Sequence, residues 1–561
     1  MIRNILRFAA LVGAVGVLAC TDEQLAVTNP NSGDTERVLG SPADAEALVS
    51  SYYKRWASGL WGSGSNIEGM ADIFGMMNYS SLANNCMNTH APWSGATNLN
   101  SPGHTCATEQ LRLYQVSNEV VRVASNFLKA EAGGLTLGTP ARDARGKAWS
   151  EFLRGISLGD LALVYDSSAI VTEKSDGQDA GVLAGYKTVA ESSYTALERA
   201  IALANSNAAG SDGFPIPGAW LPSPTSLTAT EFVKLAKSYR ARFRANVART
   251  TAERAAVNWD LVITDAQGGL TADHLNTTST TAGPTRSWLN TYSVPGLWHQ
   301  MPPAIIGMAD TSGAYAAWIA TPIAARGAGN VSFTMATPDL RFPQGPTRTA
   351  QQDDFKTSSC QSAATPCKRY FANRPNLNDQ NSGNGFGWSN YDIARFNSWN
   401  LAGDAGQARN GNVLFFAKAE VDMLQAEGQF RKGNYAAAAA LVNVTRVKNG
   451  LPAITAFDAT SPVPGGNACV PKAPSGSTVS CGNLLEAIKW EKRIETAFVA
   501  FIPWYLDHRG WGDLAEGTPT YWATPYQDLQ SRGVASSAIY GTGPGAGNAP
   551  GSAAAKGAYG W

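Results

Sequence analysis

The sequence predicts a mostly α fold: a tetratricopeptide-like helical-repeat scaffold carrying a large, loop-rich, irregular subdomain. Three observations predict it. Residues 148–165 and 187–204, 230–249 and 256–266, and 412–430 and 434–448 read as three helix pairs of one design. The second helix of each pair opens on an aromatic, Tyr194, Trp259 or Tyr435, and then turns to small or aliphatic residues, which permit close helix contact. Residues 268–411, between the second and third pairs, carry little helical period and are rich in Gly, Pro, Thr, Asn and aromatics. Periodicity alone fits an ordinary helical bundle equally well, and the 65 residues from Tyr194 to Trp259 exceed the regular repeat of ~34, so hairpins of this kind are degenerate and carry long insertions.

In chain order, residues 1–19 read as a signal peptide: Arg3 and Arg7, an apolar run from Phe8 to Leu18 and no acidic residue. The run is shorter than the ~20 apolar residues that span a bilayer, and no later stretch is long enough to do so. It ends in V-L-A-C, which resembles the lipoprotein box of bacteria and makes Cys20 the expected site of lipidation. Residues 20–34 then form a polar tether, and Asp22 and Glu23 resemble surface-export signals of Bacteroidetes-type lipoproteins. Ser41-Pro42 is an N-cap and first-turn pair for a helix bearing Leu48, Tyr52 and Trp56. Leu113, Val116, Val120, Val123 and Phe127 recur at steps of three and four, which marks an amphipathic helix over 108–130.

The remaining cysteines fall in three local couples, Cys86 with Cys106, Cys360 with Cys367 and Cys469 with Cys481, and an exported chain makes these disulfide candidates. Zinc is the weaker reading, because no spacing is C-x-x-C; His90 and His104 flank only the first couple. No metal and no other cofactor is expected. The 44 basic residues balance 44 acidic ones, which argues against a partner held through nucleic-acid phosphates.

Four segments together resemble the SusD/RagB outer-membrane lipoproteins that cap TonB-dependent transporters. They are the lipid box with LAVTNPN and SPADAEALVSSYYKRW; KAWSEFLRGISLGDLALVYDSSAIV; NVLFFAKAEVDMLQAEGQFRKGNYAAAAALVNVTRVKNGL; and LLEAIKWEKRIETAFVAFIPWYLDHRGWGDL. In the last, Glu491, Arg493, Glu495, Trp504, Asp507 and Arg509 hold the family's charged and aromatic positions. The family's proline-rich close is replaced by Gly and Ala repeats from residue 541 onward, and 268–411 matches nothing in particular. The resemblance implies one SusD-like domain over 35–561, with a helical scaffold at about 35–267 and 412–510 and a loop-rich insertion at about 268–411. It also implies a hinged lid, a SusC-like TonB-dependent transporter as partner, an oligosaccharide or peptide ligand, and a lipid-anchored, surface-exposed place on the outer membrane, with no catalysis.

For ligand contact the aromatics of the loop-rich stretches are the useful signal. Sugar rings present flat C–H faces that pack on aromatic rings, while neighbouring amide and guanidinium groups meet the hydroxyls. The candidates are Trp61, Trp93, Arg286, Trp288, Asn290, Tyr292, Trp298, Trp388, Tyr391 and Trp399. A core or transporter-contact role competes with ligand contact at each. Two enzyme readings are weighed against this one. G-x-S-x-G at Gly155, Ser157 and Gly159 needs a strand before the serine, yet the segment is helical by period, and His508 has no fold that brings it to Ser157. A lipid-anchored glycan-degrading enzyme, the alternative, needs a carboxylate pair, for which Asp353, Asp354, Asp379 and Asp392 are available and nothing singles out two. The charged positions from Glu491 to Arg509 are expected to form an ion-pair network joining the last motif helix to the loop after it.

Overall fold

The computed structural model describes residues 38–61, 67–78, 86–90, 100–103, 106–175, 180–207, 213–279, 300–326, 332–358, 368–374, 389–395, 411–499, 501–534 and 559. Ten helices form the frame: α1 (Pro42–Trp61), α2 (Leu111–Ala132), α3 (Pro140–Val164), α4 (Tyr186–Ser206), α5 (Ala229–Asn246), α6 (Trp259–Gln267), α7 (Lys418–Arg431), α8 (Tyr435–Lys448), α9 (Leu484–Glu495) and α10 (Pro503–Trp511). Their starts follow local chemistry. Ser41 Oγ accepts from the Asp44 amide at the head of α1, Thr139 caps α3 ahead of Pro140, and Thr228 and Glu231 close a reciprocal capping box on α5. In α1 the inward stripe is Ala45, Val49, Tyr53 and Trp56, so Leu48 and Tyr52 sit at its margin rather than at its centre.

Each helix packs on the next, from α1 through α6, and α6 then packs directly on α7, with α7, α8 and α9 closing the stack. The three expected pairs are α3 with α4, α5 with α6 and α7 with α8. The glycines of G-x-S-x-G set the closeness of the first contacts. A Cβ at Gly155 would lie 2.6 Å from Leu197 of α4, and one at Gly159 would lie 2.2 Å from the Phe243 ring of α5. That segment is continuous helix, so no strand precedes Ser157 and no nucleophile elbow forms there.

Because α6 and α7 touch, the chain between them is an insertion. It leaves and returns through a two-stranded antiparallel stem, His274–Thr278 against Gly411–Phe416. Residues 412–416, expected as the start of a helix, are this strand; β-branched and aromatic residues in VLFF suit a pleated, buried surface, and helix begins only at Lys418. The insertion is less irregular than its composition predicts. Its described part includes the helices Ala314–Ala320 and Arg348–Ser358 and a sheet of Phe371–Asn373 with Tyr391–Ile393.

Disulfides join Cys86 to Cys106 and Cys469 to Cys481; Cys360 and Cys367 lie outside the described residues, as do Cys20 and the rest of the signal and tether. The first disulfide leaves no thiolate for a metal, and His90 Nε2 instead meets Glu109 Oε2 at 2.9 Å. Among the described residues no helix is long and apolar enough to cross a membrane.

Candidate functional site

The small sheet of the insertion is the root of the segments that carry most of the ligand candidates. Its strands are three residues long, all buried, and its hydrogen bonds extend outward through flanking residues. The Ser389 amide donates to Gln300 Oε1 at 2.7 Å, and the Met301 amide donates to the Tyr391 carbonyl at 3.1 Å. The Arg374 amide donates to the Asn390 carbonyl at 2.6 Å and the Ala394 amide to that of Tyr370 at 2.7 Å. Residues 300, 374 and 389 therefore meet at one end of the sheet and 395 leaves from the other; they are described ends bordering the stretches 280–299, 375–388 and 396–410.

Arg286, Trp288, Asn290, Tyr292, Trp298, Trp388 and Trp399 belong to those three stretches and lie outside the described residues, as does Trp93; Trp61 is the last residue of α1. Tyr391 is the candidate whose side chain is described, and it is buried in the root. Its hydroxyl accepts from the Met335 amide at 2.9 Å and donates to Gln351 Oε1 at 2.8 Å. Burial holds this phenol above its usual range. Asn390 likewise spends its amide on the Phe333 carbonyl, at 2.8 Å.

The root is braced against the scaffold by Arg341, with Arg395 donating to the Glu495 carbonyl at 2.7 Å beside it. Arg341 of the insertion, fully buried, reaches Asp339 Oδ2 at 2.7 Å, Glu491 Oε2 at 2.7 Å and Glu495 Oε1 at 3.0 Å, the last two on α9. Burial opposes the charge on Arg341, but Asp339 and Glu491 outweigh it and hold the group well above its ordinary value. The Glu491 carboxyl is raised by burial in spite of Arg341. Tyr370, next to the sheet, donates to Glu495 Oε2 at 2.9 Å and lies under Arg395 at 4.1 Å, while Phe342 stacks on Phe371 at 4.5 Å.

The motif charges thus form a buried network, but its partners differ from those expected. Glu491 and Glu495 face the insertion rather than the following loop. Lys492 takes Asp507 at 2.7 Å, Arg493 pairs with Asp513, and Arg509 donates to the carbonyls of Thr520 and Asn246. Arg254 and Glu427, at 2.6 Å, extend the network into α7; burial alone would raise Glu427, but Arg254, Arg431 and Lys492 hold it at about 2. Asp339 and Arg341 were not singled out by the sequence reading. PDLRF offers a single Asp-x-Arg step, and nothing local marks it as the partner of a helix 150 residues later.

Chemistry elsewhere in the insertion is committed to structure. Asp354 pairs with Arg369 at 3.0 Å and accepts from the Gln344 amide, Asp392 is buried 4.0 Å from Arg374, and Asp353 meets Lys356 at the surface. Asp379 lies outside the described residues. His508 is buried on α10, where burial and then Arg493 push its pKa well below the usual imidazole value. On the scaffold, a cavity of about 370 Å³ opens among α4, the end of α5 and α6, and a groove of about 750 Å³ lies between α2 and residues 527–532. The aromatic rings lining them are engaged: Tyr194 lies under Arg244 at 4.8 Å, and Tyr114 is buried edge-to-face with Tyr165 at 5.0 Å.

No family model and no curated relative matches the chain. Solved structures do. A SusD superfamily protein from Parabacteroides distasonis aligns at TM-score 0.53 and 10% identity, covering 87% of this chain and 97% of that one. One from Bacteroides vulgatus aligns at 0.51 and 12%, over 88% and 93%. Another from Bacteroides thetaiotaomicron aligns at 0.50 and 12%, over 87% and 96%. The helical stack, its single long insertion and these near full-length alignments together establish that the chain has the SusD fold.

Proposed function

We propose that this protein is a SusD/RagB family lipoprotein, anchored through Cys20 at the outer-membrane surface, that captures oligosaccharide and hands it without catalysis to a TonB-dependent transporter. The observation that carries the reading is the shared root. Ser389, which follows Trp388 in sequence, and Gln300, two residues after Trp298, are joined at 2.7 Å in the buried sheet region. Aromatic rings borne close to an ordered base lose less freedom on binding a sugar, which suits a capture protein. Arg286, Asn290 and Tyr292 on the same stretch supply hydroxyl partners. Peptide ligands use the same groups and are the second class to test.

The test is a calorimetric titration of residues 21–561 against a panel of oligosaccharides and peptides, with each mixture also assayed for cleavage. Saturable binding without turnover is the expected result. Turnover would replace this reading with the lipid-anchored glycan-degrading enzyme.

A further inference from the structure

Among the described residues Tyr559 alone follows Val534, and it is 2% exposed. Its hydroxyl accepts from Arg493 Nη2 at 2.8 Å and donates to Glu486 Oε2 at 2.8 Å. Its ring lies 5.0 Å from the Arg493 guanidinium and 5.6 Å from Lys489 Nζ. A phenol is suited to this place, because one hydroxyl both accepts from the cation and donates to the carboxylate while the ring covers the charges. Phenylalanine would supply the ring and neither hydrogen bond.

The receiving groups do not depend on the phenol for their balance. Arg493 keeps Asp513 and His508, and Glu486 keeps Lys489 at 3.0 Å, which itself reaches Asp513 at 3.1 Å. They are positioned by α9, whose Ala487, Ile488, Trp490 and Ile494 are buried in the core of the body. The intervening residues, ASSAIYGTGPGAGNAPGSAAAKGA, are mostly Gly, Ala and Ser and offer little apolar surface of their own, so attachment concentrates in one side chain.

We infer that Glu486, Lys489 and Arg493 form a docking site for a tyrosine-bearing peptide, occupied here by the chain's own segment around Tyr559 and separable from the folding of the body. The inference is independent of the ligand reading above. Its effect is to tie the far end of the chain to the helix that also braces the insertion through Glu491 and Glu495.

The experiment uses the full chain with a protease site placed between Gly545 and Ala546, cleaved after folding. The released piece is expected to co-elute with the body in gel filtration at micromolar concentration. A fluorescein-labelled AKGAYGW peptide (555–561) should then bind a chain ending at Val534, read by anisotropy, and bind the uncut chain at least ~10-fold more weakly, because the site is filled. The same peptide with Tyr559→Phe should bind the shortened chain at least ~10-fold more weakly, since two hydrogen bonds to charged groups are lost. A piece that elutes free of the cut body would overturn the inference. So would equal affinity of the tyrosine and phenylalanine peptides.

Discussion

Replacing Arg341 by Met removes the one cation shared by Asp339, Glu491 and Glu495 while keeping side-chain volume. The three acids are not left equally exposed to the loss. Asp339 still accepts from Trp490 Nε1 at 3.1 Å, and Glu495 keeps the Tyr370 hydroxyl at 2.9 Å and Asn449 Nδ2 at 3.2 Å. Glu491 has its side-chain hydrogen bonds from Arg341 and sits at zero exposure. The cost is therefore that of a buried carboxylate that has lost its hydrogen-bonded cation, with Arg446 the remaining buried cation near it, about 3 kcal/mol at pH 7. A carboxyl whose folded pKa exceeds its unfolded value favours folding below the unfolded pKa and loses that contribution as pH rises through the folded pKa. Glu491 is already raised by burial, and removing Arg341 raises it further, so the deficit of the variant should shrink as pH falls toward the unfolded carboxylate range. Urea unfolding with linear extrapolation at pH 7 and pH 4.5 reads both quantities. Adding Glu491→Gln to the variant should recover part of the loss at pH 7 and little at pH 4.5. A cost below about 1 kcal/mol, or one independent of pH, would refute the claim that this guanidinium joins insertion to scaffold.

Two further substitutions probe the scaffold. Gly159→Ala places a methyl 2.2 Å from the Phe243 ring, and overpacking of about 1–3 kcal/mol should exceed the helix-propensity gain of up to ~1 kcal/mol; Gly103→Ala, with only Ser101 Oγ at 4.0 Å, should change stability by less than about 0.5 kcal/mol in the same thermal scan. Asp160 is fully buried, and burial raises its pKa well above the ordinary carboxyl value although Trp56 donates to it at 2.6 Å and Arg242 opposes the rise. Its raised pKa means that native stability falls as pH increases, so Asp160→Asn should match the parent near pH 4 and exceed it by about 1 kcal/mol or more at pH 8, measured by denaturant unfolding; equal stability at pH 8 would contradict a raised pKa.

The helical frame was legible because its signals are local. The stripe Trp149, Phe152, Ile156 fixes α3, the pair Ser41-Pro42 fixes the start of α1, and Trp259 and Tyr435 are the first residues of α6 and α8, whereas Tyr194 lies in the third turn of α4, which opens at Tyr186. The insertion was legible by its lack of period, and its boundary at 411 falls on the first residue of the returning stem strand. What escaped was non-local. Strand 411–416 was absorbed into the following helix, since VLFF is an apolar run of ambiguous type and its partner lies 135 residues earlier in sequence at Thr277, paired with Asn412. Arg341 escaped for the same reason. Tyr391 was read as a ligand group from its sequence neighbours, but on a strand whose three residues are all buried its hydroxyl is held by the Met335 amide and Gln351.

The central claim is that the small sheet holds a glycan platform, and the most direct measurement is calorimetry on residues 21–561 carrying Trp298→Ala and Trp388→Ala together. The account predicts that the parent binds an oligosaccharide of the panel without cleaving it, and that the double variant binds at least ~10-fold more weakly with its thermal midpoint unchanged. Undiminished binding by the double variant would contradict the account.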